Sequence, residues 1–131
     1  MEQRKKSAKF WLIVAVVLMI VSMIGASRVQ NSGGDVVIKD LRWETEDGFL
    51  MSAYLLIPKS ATAETPAPGI VTSHGWYNNR EMQDLNYVEY ARRGYVVMSI
   101  DMLGHGNSDA FTGEGGFNDG PGTGMYAAVQ L

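Results

Sequence analysis

The sequence predicts an α/β fold: an antiparallel hairpin, then a strand–helix–strand unit, all preceded by one transmembrane helix. Three patterns predict it. Residues 10–26 carry no charge. Two apolar runs flank Asp47-Gly48. Two further β-rich runs, residues 69–73 and 95–100, each end in a His-Gly loop, with a helical pattern between them. At 131 residues, one domain is expected.

Residues 10–26 read FWLIVAVVLMIVSMIGA. As a helix this run spans about 25 Å, slightly less than a hydrocarbon core of about 30 Å. Lys9 and Arg28 flank it and suit snorkelling to the interface. The run exceeds the roughly 7–15 residues of a secretory h-region. Gly25-Ala26-Ser27 is nevertheless a weak cleavage site. Two readings stay open, an uncleaved anchor and a cleaved signal peptide. Residues 1–9 hold Arg4, Lys5, Lys6 and Lys9 and form a basic cytoplasmic flank. The expectation is a single-pass cell-membrane protein whose C-terminal part is extracytoplasmic.

Residues 27–34, SRVQNSGG, read as a short flexible linker, and residues 35–131 as the domain. Val36, Ile38, Leu41 and Trp43 precede Asp47-Gly48, and residues 49–57 follow it. Asp-Gly between two such runs is a strong hairpin signal. Residues 59–68, KSATAETPAP, read as a loop. Residues 69–73 alternate little, as a strand buried on both faces does. A helix follows. Asn78 and Glu81 have capping-box spacing. Leu85, Val88 and Ala91 share one face. Arg92 and Arg93 end the helix, and Gly94 suits the residue after the cap. Residues 95–100 form the next strand. The unit is βαβ, so its strands should be parallel. Residues 102–124 are Gly-rich and read as a loop. A last helix begins near Gly124-Met125-Tyr126, capped by Thr123, and the sequence carries no end signal for it.

Composition excludes several function classes. The net charge is −3, and four of the eleven basic residues crowd the first nine positions, so the body is acidic and no nucleic-acid footprint exists. There is no cysteine, hence no disulfide framework and no thiolate chemistry. His74 and His105 lack the neighbouring ligands of a metal site. Gly104 and Gly106 lack the third glycine and the lysine of phosphate loops. No metal and no cofactor is implied.

The chemistry concentrates in two loops. In His74-Gly75-Trp76-Tyr77, the glycine lets the backbone turn sharply after a strand and approach a ligand closely. The N–H groups that follow lie where open α/β sheets bind ligands, at the carboxyl ends of the strands. Acyl transfer needs such donors for its oxyanion. The competing reading is an ordinary tight turn with His74 bonded to backbone. The second loop runs Asp101-Met102-Leu103-Gly104-His105-Gly106-Asn107-Ser108.

Together these residues resemble the front half of an α/β-hydrolase. The second loop is similar to the family's Asp-x-x-Gly-x-Gly-x-Ser segment, with Leu103 where many members carry Arg. The resemblance covers residues 35–131 and lies nearest to dienelactone-hydrolase-like and serine-aminopeptidase-like enzymes. It implies the N-terminal half of such a sheet, truncated before the nucleophile. It implies oxyanion donors at the backbone N–H of Trp76 and, second, of Tyr77. It gives the second loop a mainly structural role, and it excludes His74 and His105 as base and Asp101 as triad acid. Ser108 fails the Gly-x-Ser-x-Gly elbow at Ala110 and follows the wrong strand. The expected function is an N-terminal, membrane-anchored piece of a serine hydrolase acting on a small-molecule ester or a peptide, inactive alone. The alternative is a non-catalytic membrane-tethered α/β binding module.

Overall fold

The computed structural model describes residues 2–110, 125, 128 and 129. Helix α1 runs Glu2–Gln30. Its stretch Ser7–Gln30 is long and apolar enough to cross a membrane, with a mean hydropathy of 2.5 and no part of it buried. Large apolar side chains project on all sides, from Phe10 and Trp11 to Met23 and Ile24. A helix apolar all round has no water-facing side.

The stretch expected as a flexible linker is structured otherwise. Residues 27–30 continue α1, and Ser32–Gly34 form a 3-10 turn. The Asn31 carbonyl accepts from the N–H groups of Gly34 and Val36, both at 3.0 Å. Ser32, Gly33 and Gly34 all take positive φ, at 54°, 73° and 102°. Two glycines make that left-handed run affordable, so they build a specific reversal rather than slack.

Strands β1 (Val36–Glu44) and β2 (Leu50–Pro58) pair antiparallel from Val36↔Pro58 to Glu44↔Leu50. The Asp47-Gly48 turn joins them. Thr45 closes it through its N–H to the Phe49 carbonyl at 2.9 Å, and its hydroxyl accepts the Phe49 N–H at 3.1 Å. Strand β3 (Gly69–Thr72) runs parallel to β4 (Val96–Asp101). The sheet order is β1-β2-β4-β3, with β4 antiparallel to β2.

Between β3 and β4, a 3-10 turn at Arg80–Gln83 leads into α2 (Asp84–Arg92). The cap differs from the expected Asn78 pairing. The Asn79 side chain accepts the Glu81 N–H at 3.0 Å, two residues on, and starts the 3-10 turn. The C-terminus is a Schellman motif. The Gly94 N–H donates to Ala91 and the Tyr95 N–H to Tyr90, with Gly94 at φ 96°. Tyr90 and Tyr95 rings meet edge-on across it, 6.5 Å apart.

Helix α2 buries Tyr87 and Ala91 against Val36, Leu56 and Val97. Tyr87 is a core residue that the Leu85–Val88–Ala91 reading omitted. The other sheet face packs Ala53 and Ile100 against Ala128, with Trp43, Val71, Met98 and Met125 around them. Both faces of β2 and β4 are thus covered, which fits their low alternation. Residues 125, 128 and 129 are helical. The start of the expected last helix at Gly124, its cap Thr123, and the loop from residue 111 lie outside the described residues.

Candidate functional site

Parallel β3 and β4 deliver their loops to the same end of the sheet. His74 to Asn79 follow β3, and Met102 to Asp109 follow β4. The two histidines lock these loops together. His74 is buried. Its Nδ1 donates to the Gly75 carbonyl at 2.8 Å, and its Nε2 accepts the Met102 N–H at 3.1 Å. One donor and one acceptor is what a neutral imidazole offers. His105 reaches back the other way. Its Nε2 lies 2.6 Å from the Trp76 carbonyl oxygen and its Nδ1 3.1 Å from that of Leu103. The rings stand 4.8 Å apart. Each histidine therefore bonds the backbone of the opposite loop. Both atoms facing His105 are carbonyl oxygens, so a neutral ring donates to one of them, and the Trp76 contact at 2.6 Å is the shorter. Neither ring has a nitrogen turned toward a serine.

The tip of the first loop is open. Trp76 is 48% and Tyr77 93% exposed. The turn closes with the Asn78 N–H on the Gly75 carbonyl at 3.0 Å. Gly75 is absent from the positive-φ glycines. A Cβ on it would meet only Asn78 Nδ2, at 3.4 Å. The sharp turn therefore does not need glycine's special dihedrals. The lack of a side chain leaves the outer face of the loop clear.

Asp101 anchors the second loop. It is fully buried. Its Oδ1 accepts the Arg80 N–H at 2.7 Å, and its Oδ2 accepts the Asn107 N–H at 3.0 Å. Gly106 passes so close that a Cβ would overlap the carboxylate. Ser108 donates to the Asp101 carbonyl at 2.7 Å and accepts the Ser52 N–H at 3.0 Å. Asp109 holds the Leu50 N–H at 2.8 Å. Ser108 thus ties the loop to β2, in keeping with a structural role.

The charge partner of Asp101 is Arg80. Leu103 stands where the resembled family often carries Arg and brings no charge that could form an ion pair with Asp101. Arg80 supplies one from another element, its Nε 3.5 Å from Asp101 Oδ2. That is an ion-pair contact and too long for a hydrogen bond. Arg80 also holds Asp40 with both Nη atoms, at 2.9 and 3.1 Å, and Ser52 Oγ at 2.6 Å. Its guanidinium carbon sits 3.8 Å from the Tyr54 ring centroid, and its carbonyl accepts from Ser99 at 2.9 Å. The Arg80 hydrogen bonds hold the Asp40 carboxyl below its ordinary range. Burial, then the 3.0 Å bond to Glu81, pushes the Tyr54 hydroxyl up. Sequence reasoning missed Arg80, Asp40 and Ser52. The signal was an arginine in the first turn preceding a helix, where the dipole disfavours a cation.

Two clefts lie away from the loops. One of about 590 Å³ is lined by Gln30, Ile38, Tyr54, Glu81 and Tyr87. Another of about 360 Å³ is lined partly by Asp35, Lys59 and Arg92. Among the described residues, no three His, Cys, Asp or Glu side chains are grouped to hold a metal ion.

The family model of the X-Pro dipeptidyl-peptidases (S15 family) matches residues 47–127, more than half of the chain. The chain belongs to this family. The S15 match opens at the hairpin turn and takes in β2, β3, α2, β4 and both loops. Solved structures agree on the fold. A hypothetical protein from Pseudomonas aeruginosa aligns with TM-score 0.63 and 23% identity, over 73% of this chain and 30% of its own. An esterase from Exiguobacterium antarcticum aligns at 0.56 and 21%, over 70% and 31%. An esterase from Pyrococcus furiosus aligns at 0.56 and 21%, over 72% and 33%. No curated protein matches the chain in sequence. This S15 chain spans about a third of the length of those structures, and its mixed sheet matches the N-terminal part of α/β-hydrolase folds.

Proposed function

We propose that this chain supplies the oxyanion side of a membrane-anchored serine hydrolase that cleaves ester or amide bonds, and that it has no hydrolytic activity alone. One observation carries the reading. The His74–Tyr77 loop stands open at the carboxyl ends of parallel strands, while both nearby histidines are committed to holding its backbone. A loop braced in this way presents main-chain N–H donors, at Trp76 and Tyr77, at little reorganisation cost. That is what a developing oxyanion requires. The S15 family name supports an amide substrate. The two esterases support an ester.

The nucleophile, acid and base come from outside the described residues. Ser52 and Ser99 are fully buried and bonded to Arg80, and Ser108 is bonded to Asp101 and Ser52. Anchoring rests on α1, with the basic first residues in the cytoplasm and the body outside. The second reading is a tethered binding module without catalysis, favoured by the commitment of every one of these serines to structure.

The test compares residues 1–131 with the complete gene product that contains them, on an activated ester and on an X-Pro anilide. Hydrolysis by the complete product and none by residues 1–131 supports the proposal. No hydrolysis of either substrate by the complete product favours the binding module. The encoding DNA gives a second check. A Gly-x-Ser-x-Gly codon run after codon 131, followed by late Asp and His, belongs to the enzyme reading.

A further inference from the structure

We infer that the domain stands upright on the membrane, with the phosphate of a phospholipid headgroup held between Lys59 and Arg92, so that the candidate site faces water and takes a soluble substrate. The inference deepens the reading above and rests on α1 as the anchor. The end of α1 is tied closely to the body. The carbonyl of Asn31, one residue past α1, accepts the Val36 N–H at 3.0 Å, and the Asp35 carbonyl accepts the Lys59 N–H at 2.8 Å. The cleft of about 360 Å³ opens at this junction. Ser32 and Asp35 line it from the stretch after α1, Lys59 from the end of β2, and Arg92 and Gly94 from the end of α2. Lys59 and Arg92 are exposed, and neither side chain has a hydrogen bond or ion pair among the described residues. The neighbouring Arg93 is by contrast bound to Glu89 at 2.8 Å. Two cations against the carboxylate of Asp35 leave a single positive charge in the cleft, which matches the single negative charge of a phosphodiester. Lysine and arginine hold phosphate through charge-assisted hydrogen bonds. Tyr90 and Tyr95, both exposed, lie on either side of Arg92 and Gly94 in the chain. Tyrosine favours the depth of the headgroups.

The sheet sets where the candidate site then lies. Strand β1 starts at Val36, beside the end of α1, and rises about 26 Å to Glu44. Strand β2 returns, with Leu50 opposite Glu44 and Pro58 opposite Val36. Strand β4 starts at Val96, two residues after Gly94, and runs about 17 Å to Asp101. The loops of His74 and His105 follow the far ends of β3 and β4, so they lie at the end of the sheet opposite the cleft.

The chain has no cysteine, so one introduced cysteine carries one nitroxide. Ala63→Cys labels the loop after Lys59, and Glu46→Cys labels the hairpin turn at the far end; both positions are exposed. Relaxation by a nickel-chelating lipid reads closeness to the bilayer surface. In phospholipid nanodiscs the Ala63 label should be relaxed strongly and the Glu46 label weakly. That contrast should fall at least about threefold in the Lys59→Gln/Arg92→Gln double variant, and equally in discs of galactolipid, whose headgroup carries no phosphate. The exchange Lys59→Arg/Arg92→Lys should keep the contrast, which a fold defect would not. A contrast unchanged in the Gln variant overturns the cationic cleft, and one unchanged in galactolipid overturns the phosphate. Its return there on adding inorganic phosphate would make the ligand a soluble anion and overturn the lipid. A Glu46 label relaxed as strongly as the Ala63 label in the otherwise wild-type chain overturns the upright stance. The complete gene product should hydrolyse a soluble activated ester and release no fatty acid from the disc lipids; fatty-acid release overturns the soluble substrate. Hydrolysis of neither overturns the hydrolase reading and leaves the stance to the labels. A chain that does not stay with the discs overturns the anchor before any label is compared.

Discussion

Arg80 carries more of the fold than any other single side chain described. It is 2% exposed, yet it joins β1 through Asp40, β2 through Ser52 and β4 through Asp101. Removing one partner of a buried ion pair costs about 3–5 kcal/mol, because the other charge stays buried. Arg80→Met should therefore lower stability in urea denaturation by about 3 kcal/mol or more. A loss below about 1 kcal/mol would mean that the two backbone donors to Asp101 suffice without the guanidinium. Asp40 tests the exposed end of the network. Its side chain is 56% exposed, so solvent screens the pair and its contribution is modest. Its folded pKa is depressed. The stability it adds is thus present above the unfolded carboxylate range and disappears as pH falls through the folded value. The difference between wild type and Asp40→Asn should shrink on acidification in parallel denaturation series. A difference that grew at low pH would contradict the assignment.

The glycines of the β4 loop make a second residue-scale contrast. Gly104 and Gly106 both have positive φ, 82° and 55°. Only at Gly106 would a Cβ strike the Asp101 carboxylate. Gly104→Ala should cost roughly the 1–2 kcal/mol of a left-handed non-glycine residue. Gly106→Ala should cost clearly more and disrupt the loop. Equal thermal shifts for the two variants would show that Asp101 yields easily.

At the scale of elements, the signals that lie close together in the chain were legible. The hairpin showed in Asp47-Gly48 between apolar runs, because a turn and its flanking alternation are local. The end of α2 showed in Arg92, Arg93 and Gly94, and the Schellman bonds at Gly94 and Tyr95 follow from them. Gly94→Ala should lower stability by about 1–2 kcal/mol, checked by thermal unfolding. What was not legible joins distant positions. Arg80 and Asp40 lie forty residues apart, and no local pattern pairs an arginine near a helix start with an aspartate on the first strand. Asn79 displaced Asn78 as the cap because a 3-10 turn precedes α2, and its tighter winding shifts which side chain reaches the first free N–H. The polar run after the membrane-length segment misled for a related reason. Gly33 and Gly34 signalled flexibility, whereas here they serve left-handed dihedrals in a fixed reversal. The two site loops were found from their His-Gly pattern. Their crosswise histidine bonds depend on the strand order β2-β4-β3, which is a tertiary fact.

At the scale of the whole molecule, one apolar helix precedes a mixed sheet of the α/β-hydrolase kind, and the two parts make separable claims. For the helix, carbonate-washed membranes should retain the protein, and a reporter fused after Leu131 should be active outside the cytoplasm. A soluble mature form beginning near Arg28 would replace the anchor by a cleaved signal. For the sheet, the central claim is that its loops stabilise an oxyanion and provide no nucleophile. The most direct measurement treats the complete gene product with a fluorophosphonate probe and maps the labelled serine by peptide mass spectrometry. The account predicts one labelled serine, C-terminal to Leu131, and none among residues 1–131. Stoichiometric label on Ser73 or Ser108 would contradict it.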